Sequence, residues 1–241
     1  MRITRTPRTA PTTRRTLLRA SAATAAAGVL AAGSSPVGAA PRTRPARPAT
    51  PAAALKELAV GNRRWRTLHQ RHPHETAGVR SALVSGQSPF ALILGCIDSR
   101  VPPELVFDQG LGDLMTVRSA GEVLDEAVLG SIAYGVLELG IPLVVVLGHQ
   151  SCGAVAAAVH AEETGESLPA HIQYVADQIR PAIVHGQHGD ARVDATVSAQ
   201  VRLVRSRLAR EADLAAKVAA GELAIVGARY ELSTQLVHRV G

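Results

Sequence analysis

Cys96 and Cys152 are the only cysteines of this 241-residue chain, and each lies in a short polar segment: Cys96-Ile97-Asp98-Ser99-Arg100 and His149-Gln150-Ser151-Cys152-Gly153. Thiolate sulfur and imidazole nitrogen are zinc donors, and a catalytic zinc keeps three protein ligands with one position open. Cys96, His149 and Cys152 supply three. Two thiolates and a neutral imidazole balance a divalent ion, and water in the open position has its pKa lowered to roughly 7, so hydroxide becomes available near neutral pH. The two cysteines are not in the CxxC spacing of a zinc ribbon or a redox motif, and no second pair exists to close a four-thiolate site.

Asp98 and Arg100 supply what bare ligands lack. Two residues apart in an extended segment they project to the same side, and a guanidinium holds a carboxylate through two parallel hydrogen bonds. Two roles are open to the carboxylate: fourth metal ligand, or acceptor of a hydrogen bond from zinc-bound hydroxide. Arg100 favours the second.

The elements that must position these groups are legible as apolar runs. Phe90 to Gly95 and Pro142 to Gly148 are short and continuous, which is how strands buried on both faces of a parallel sheet read. Each ends one residue before a metal-ligating candidate, Cys96 or His149. In open α/β sheets the ligand crevice lies outside the carboxyl ends of the strands, so the two segments are expected to converge there. Helical spacing marks Val123 to Leu139, and helices are also expected over Ala53 to Leu68, from Cys152 to Ala161, over His171 to Val184 and over Val193 to Arg210. Glu222 to Glu231 reads as a late strand, with Gln235 to Val240 returning beside it. Strands alternating with helices predict an α/β fold: a mostly parallel sheet flanked by helices.

Domain organisation follows from the N-terminal composition. Thr13-Arg14-Arg15-Thr16-Leu17-Leu18 is a twin-arginine pattern, followed by an alanine-rich apolar stretch and a small-residue site ending at Ala39. Residues 1–39 read as an export signal handled by the twin-arginine machinery, which places the protein in the periplasm or outside the cell. The stretch is too short and weakly apolar for a spanning helix, which takes about 20 residues. Residues 40–52 alternate Pro with Arg, Ala and Thr and read as a linker. Residues 53–241 form one domain, and no internal repeat interrupts it.

The formal charge of +6 belongs to that N-terminal segment. Residues 1–39 hold six arginines and no acid, so Lys plus Arg falls from 26 to 20 against 20 Asp plus Glu. A domain with no basic surplus gives no reason to expect nucleic acid as a partner.

CIDSRVPPELVFDQGLGDLMTVRSAG and VVVLGHQSCGAV together resemble the two signature blocks of the β-class carbonic anhydrases, and the likeness runs from about Leu55 to the C-terminus. That resemblance implies a β-carbonic anhydrase-like fold and one Zn2+ per chain on Cys96, His149 and Cys152. It implies a gating dyad of Asp98 and Arg100, with Asp98 on the metal in the closed state of some members. It implies reversible hydration of carbon dioxide to bicarbonate and a proton by zinc-bound hydroxide. A substrate pocket near a subunit interface is implied too, with Gln87 and Tyr134 lining it and Met115 where the family usually has Phe; a homodimer or higher homo-oligomer follows. Members with a non-catalytic bicarbonate site carry Trp where this chain has Ile93. Two neighbouring functions share the same ligands: a zinc hydrolase of carbon disulfide or carbonyl sulfide, and a non-catalytic zinc- or bicarbonate-binding homologue.

Other features read as structural. His69, His72 and His74 fall in a Pro-broken polar loop and read as surface, as do His185 and His188. Trp65 reads as a packing anchor. Asp108 and Asp113 lack EF-hand spacing, and Gly110-Leu111-Gly112 has Met115 where a dinucleotide fingerprint requires glycine.

Overall fold

The computed structural model describes residues 47–241; the twin-arginine segment and most of the Pro-rich linker lie outside the described residues. The first helix, α1 (Pro51–Arg66), starts two residues earlier than its apolar spacing predicts. Thr50 explains this: its hydroxyl accepts the Ala53 amide hydrogen at 3.2 Å, and Pro51 fills the first turn, where its missing N–H is no loss.

Five strands form one sheet, β1 (Ala91–Gly95), β2 (Leu114–Arg118), β3 (Leu143–His149), β4 (Ala224–Tyr230) and β5 (Val237–Val240), in the order β2-β1-β3-β4-β5. The first four are parallel and β5 pairs antiparallel with β4. The sheet is the expected mostly parallel one.

The two apolar runs are strands buried on both sides, because alternate residues serve different layers. Leu92, Leu94, Val144 and Val146 face a layer containing α4 (Glu126–Ala133) and α7 (Gly189–Leu208), through Val128, Ile132, Val201 and Val204. Ile93, Leu143, Val145 and Leu147 face Ala54 and Leu58 of α1, with Val106 and Phe107. Fully burying such a side chain is worth about 1.5–3 kcal/mol, so both layers hold the central strands firmly.

Chain order fixes where a site can form. From β1 the chain crosses to β2 on one side, then to β3 on the other, so the carboxyl ends of β1 and β3 flank the point where the winding reverses. Crevices of doubly wound sheets open at that point. Gly95 pairs with Leu147, which sets Cys96 beside the Gly148-His149 end of β3.

Several boundaries differ from those the spacing predicts. The helix expected from Val123 begins at Glu126, because Asp125 caps it by accepting the Val128 amide hydrogen at 2.8 Å. It passes into a π-helical turn, Tyr134–Glu138. The helix expected over His171 to Val184 is α6 (Ile172–Ile179), followed by a short 3-10 turn at Arg180–Ala182 that contains Pro181. α5 (Gly153–Thr164) ends on Gly165 in the left-handed region at φ 72°. Four elements were not expected: β2, α2 (Ala77–Leu83), α3 (Pro103–Val106) and α8 (Ala212–Ala219).

Trp65 is a packing anchor within its own chain, its indole N–H donating to the Tyr230 hydroxyl at 3.0 Å. The histidine loop is tied down more than its polarity predicts. Asp108 accepts the backbone N–H groups of Arg71 and His72 and pairs with Arg64, and His74 Nδ1 lies 2.6 Å from Asp113. Among the described residues no helix is long and apolar enough to cross a membrane.

Candidate metal centre

Cys96 leaves β1 directly after Gly95, and His149 closes β3. Cys152 comes back to them through a tight reversal, in which Ser151 takes a left-handed conformation at φ 54° and Cys152 caps the start of α5. A non-glycine residue there costs of order 1 kcal/mol and persists only where its surroundings enforce it. The reversal brings Cys152 Sγ to 3.9 Å from Cys96 Sγ. One donor atom each from Cys96, His149 and Cys152 lies within 4.8 Å of the others, and all three residues are buried.

Electrostatics within the triad are those of a poised donor set. The contact with Cys152, with a smaller contribution from the Gly121 amide N–H, lowers the Cys96 pKa to about 4 against the opposing effect of burial. Cys152 is pushed up correspondingly, first by the charge-bearing Cys96 sulfur and then by burial. His149 Nδ1 lies 2.9 Å from the Gln150 carbonyl, which only accepts, so Nδ1 carries the ring proton and Nε2 presents its lone pair. Nε2 is buried and has no hydrogen-bond partner. Buried polar atoms without partners are rare, and a cation between the imidazole and the two sulfurs satisfies this one. The residues present therefore fit a zinc ion.

Asp98 stands at the rim with Arg100. Arg100 Nε donates to Asp98 Oδ1 at 2.9 Å and Nη2 to Oδ2 at 2.7 Å, while the Arg100 amide N–H also donates to Oδ1. These bonds hold the Asp98 pKa down at about 2 despite some desolvation. Oδ2 is 3.9 Å from His149 Nε2, so the carboxylate borders the triad while it is engaged by arginine.

An apolar cavity of about 640 Å3 opens beside Cys96 and Asp98, walled by Ala120, Ala154, Leu168, Ile172 and Val175. The other three residues expected at the substrate pocket lie elsewhere in this chain. Met115 and Tyr134 share a groove on the β2 side with Arg118 and Glu126, and Gln87 is exposed. None of the three lines the cavity beside Cys96. Ile93 is fully buried in the sheet.

Two contributors were not picked out from the sequence. Arg118, at the end of β2, donates from Nε to the Cys96 carbonyl at 2.8 Å and from Nη2 to the Asp98 carbonyl at 2.6 Å, fixing the backbone that carries both groups. Its only signal was its place inside the first signature block. Glu122 is wholly buried, and burial followed by the Cys96 charge raises its pKa well above the ordinary carboxylate range. Nothing in its spacing marks it.

A family model described as "Carbonic anhydrase" matches residues 91–237. The chain belongs to the β-class carbonic anhydrase family. It is 45% identical over 184 residues to carbonic anhydrase 2 of Mycobacterium tuberculosis, covering 76% of this chain and 89% of that protein. The solved β-carbonic anhydrase of Coccomyxa, in complex with acetazolamide, superposes with a TM-score of 0.63 at 25% identity, over 77% of this chain and 86% of that one. A tetrameric β-carbonic anhydrase from Sordaria macrospora gives 0.64 at 19% identity, over 76% and 94%, and supports the fold. The chain is therefore an enzyme of this family, whose general reaction is the hydration of carbon dioxide.

Proposed function

We propose that this enzyme hydrates carbon dioxide reversibly to bicarbonate and a proton at a zinc ion held by Cys96, His149 and Cys152. The observation that carries the reading is the buried, partnerless His149 Nε2 facing two sulfurs, with the Asp98 carboxylate at its edge. Zinc, when bound, supplies Lewis acidity, which makes water nucleophilic near neutral pH by lowering its pKa to roughly 7.

The chain's own residues do the rest. The Gln150 carbonyl fixes the His149 tautomer so that Nε2 stays a donor to the cation. Arg100 keeps Asp98 ionised and aimed, so that its oxygens accept a hydrogen bond from the nucleophile and orient it toward the substrate carbon. The apolar cavity suits a small uncharged gas and gives little to hold a bicarbonate once formed. Met115, Tyr134 and Gln87 complete a substrate pocket only if a second copy of the chain presents them, which favours a homodimer or larger assembly; the Sordaria relative is a tetramer. Export by the twin-arginine route rests on Arg14-Arg15 and the residues after them.

Stopped-flow hydration of carbon dioxide by purified protein, with zinc measured in the same sample, tests the reading. Turnover that scales with zinc content is expected. Zinc-replete protein that leaves carbon dioxide untouched, yet hydrolyses carbonyl sulfide or carbon disulfide, would transfer the site to that chemistry. For location, cell fractionation of the wild type and of a variant with Arg14 and Arg15 replaced by lysine should show loss of export in the variant.

A further inference from the structure

Behind the metal-ligating sulfur lies a second, fully buried polar connection. The Gly121 amide N–H donates to Cys96 Sγ at 3.4 Å, and on the other side of the same residue the Gly121 carbonyl accepts from Gln200 Nε2 at 3.0 Å. Gln200 is 1% exposed and belongs to the face of α7 that also buries Val197, Val201 and Val204. A buried primary amide in that company is unfavourable unless its bonds matter, whereas an apolar residue of similar volume would fill the same space at no desolvation cost.

The segment it holds is a tight turn closed by the Glu122 amide N–H donating to the Ser119 carbonyl at 3.2 Å, and Gln200 is its partner from outside the turn. Gly121 (φ 63°) and Glu122 (φ 53°) are two consecutive left-handed residues, and the second has a Cβ. A side chain at Gly121 would be strained by this φ, and its Cβ, 2.7 Å from Ile179 Cδ1, would require that side chain to shift. Left-handed residues with a Cβ persist only where their surroundings hold them, and the Gln200 amide is one such hold on the Gly121-Glu122 peptide.

We infer that Gln200 is a positioning residue for the metal centre: it fixes Gly121 so that the Gly121 amide stays directed at the Cys96 sulfur. An N–H group on a thiolate withdraws charge from it, and the charge a ligand retains sets how strongly it binds and how acidic the ion remains. The inference rests on the zinc site proposed above. The sequence offers no hint of it, since Gln200 is one of many polar residues in a helix that also carries Asp194, Thr196, Ser198 and Arg202.

Cobalt(II) is the probe, because its sulfur-to-metal charge-transfer band reports the charge on the two ligating sulfurs, of which only Cys96 accepts the Gly121 amide. Full-length wild type, Gln200→Met and Val204→Ala are compared for cobalt affinity by chelator competition, for the position of that band, and for the melting temperature of the metal-free protein. In Gln200→Met, cobalt affinity is expected to fall roughly 10- to 100-fold and the band to shift. Val204→Ala is expected to melt lower while keeping wild-type affinity and spectrum. The inference is overturned if Gln200→Met binds cobalt with the wild-type affinity and band, or if Val204→Ala moves both as far. Should Gln200→Met not fold, Gln200→Asn and the wild type loaded with cadmium-113 decide: a coupling between the metal and the Gly121 amide proton that weakens in Gln200→Asn supports the relay, and equal couplings overturn it. A wild type that binds no cobalt through thiolates fails the zinc-site reading itself, a result separable from a wild type that binds normally beside an indifferent Gln200→Met.

Discussion

Asp98 Oδ2 stands 3.9 Å from His149 Nε2, yet both Asp98 oxygens are taken by Arg100. An aspartate released from that arginine would be placed to reach a cation on His149, whereas one held by it can only border the site. Asp98→Ala should therefore keep zinc at wild-type stoichiometry and lose most carbon dioxide turnover, on the order of the 100-fold or more that a lost charge-orienting group costs. Metal analysis beside a stopped-flow assay checks this. Full hydration by Asp98→Ala protein would remove the dyad from the mechanism.

The same pair has a pH signature. Arg100 holds the Asp98 pKa at about 2, against an ordinary value of 3.8. A depressed carboxylate pKa means that the pair's contribution is fully present above the unfolded value and is lost as pH falls through the folded one, here between roughly pH 4 and pH 2. At the neutral pH of any assay Asp98 is ionised. Carboxyl-carbon NMR should find Asp98 titrating near pH 2 in metal-free wild type and near its ordinary value in Arg100→Ala. A wild-type midpoint near 4 would mean that the ion pair does not persist in solution.

The sulfurs of Cys96 and Cys152, 3.9 Å apart, make metal removal hazardous. A disulfide bond is about 2.05 Å long, so a modest inward movement closes it. Treating chelator-stripped protein with oxidised glutathione should form a Cys96–Cys152 disulfide: the Cys96 thiolate and Cys152 thiol give up two electrons and one proton, and the oxidant leaves as one glutathione thiol and one thiolate that takes its proton from solvent. Zinc-loaded protein should resist under the same conditions. Mass spectrometry without reductant, before and after incubation, distinguishes them. In Cys152→Ala no such bond forms, and zinc affinity should fall by more than the roughly 10- to 100-fold that loss of an outer-shell partner costs.

What the sequence revealed of this molecule depends on how far its signals reach. β1 and β3 were legible because burial on both faces writes an uninterrupted apolar run, and the triad and dyad were legible because their residues fall in two short segments at the ends of those strands. β2 was not: Leu114-Met115-Thr116-Val117-Arg118 is a half-buried edge strand whose mixed composition resembles the loop before it. The start of α7 was misplaced because Arg192, a charged residue, is buried there; its guanidinium reaches Glu162, Glu163 and the Val184 carbonyl. Arg118 and Gln200 act on residues 96 and 121 across the fold, and no local pattern encodes contacts of that range.

Gly61 tests the layer beneath the sheet. A Cβ there would lie 1.8 Å from the Phe107 carbonyl oxygen, a backbone atom that cannot swing aside. Gly61→Ala must push α1 off the loop after α3, straining the buried Asn62, whose Nδ2 donates to the Val106 and Gln235 carbonyls. A loss of about 1–3 kcal/mol or more is expected, read as a lower denaturation midpoint with unchanged denaturant dependence. Zinc content should be retained, because α1 holds none of the ligands.

Gly148 and Gly153 flank the second ligand segment and should respond oppositely to alanine. At Gly148 a Cβ would stand 2.6 Å from Val201 Cγ2 and 3.2 Å from Val197 Cγ1, so α7 and β3 must separate where His149 begins. At Gly153, the first residue of α5, nothing lies within 4 Å of the added carbon. Gly148→Ala should destabilise the protein by about 1–3 kcal/mol and weaken zinc binding, because the imbalance falls on the peptide that aims the imidazole. Gly153→Ala should leave zinc affinity unchanged and add a few tenths to about 1 kcal/mol of stability, since alanine loses less backbone freedom than glycine on entering a helix. Thermal melts and chelator competition on the two variants separate the cases. Equal zinc affinity in both would show that β3 and α7 can part without moving His149, and that the packing behind Gly148 does not set the ligand's position.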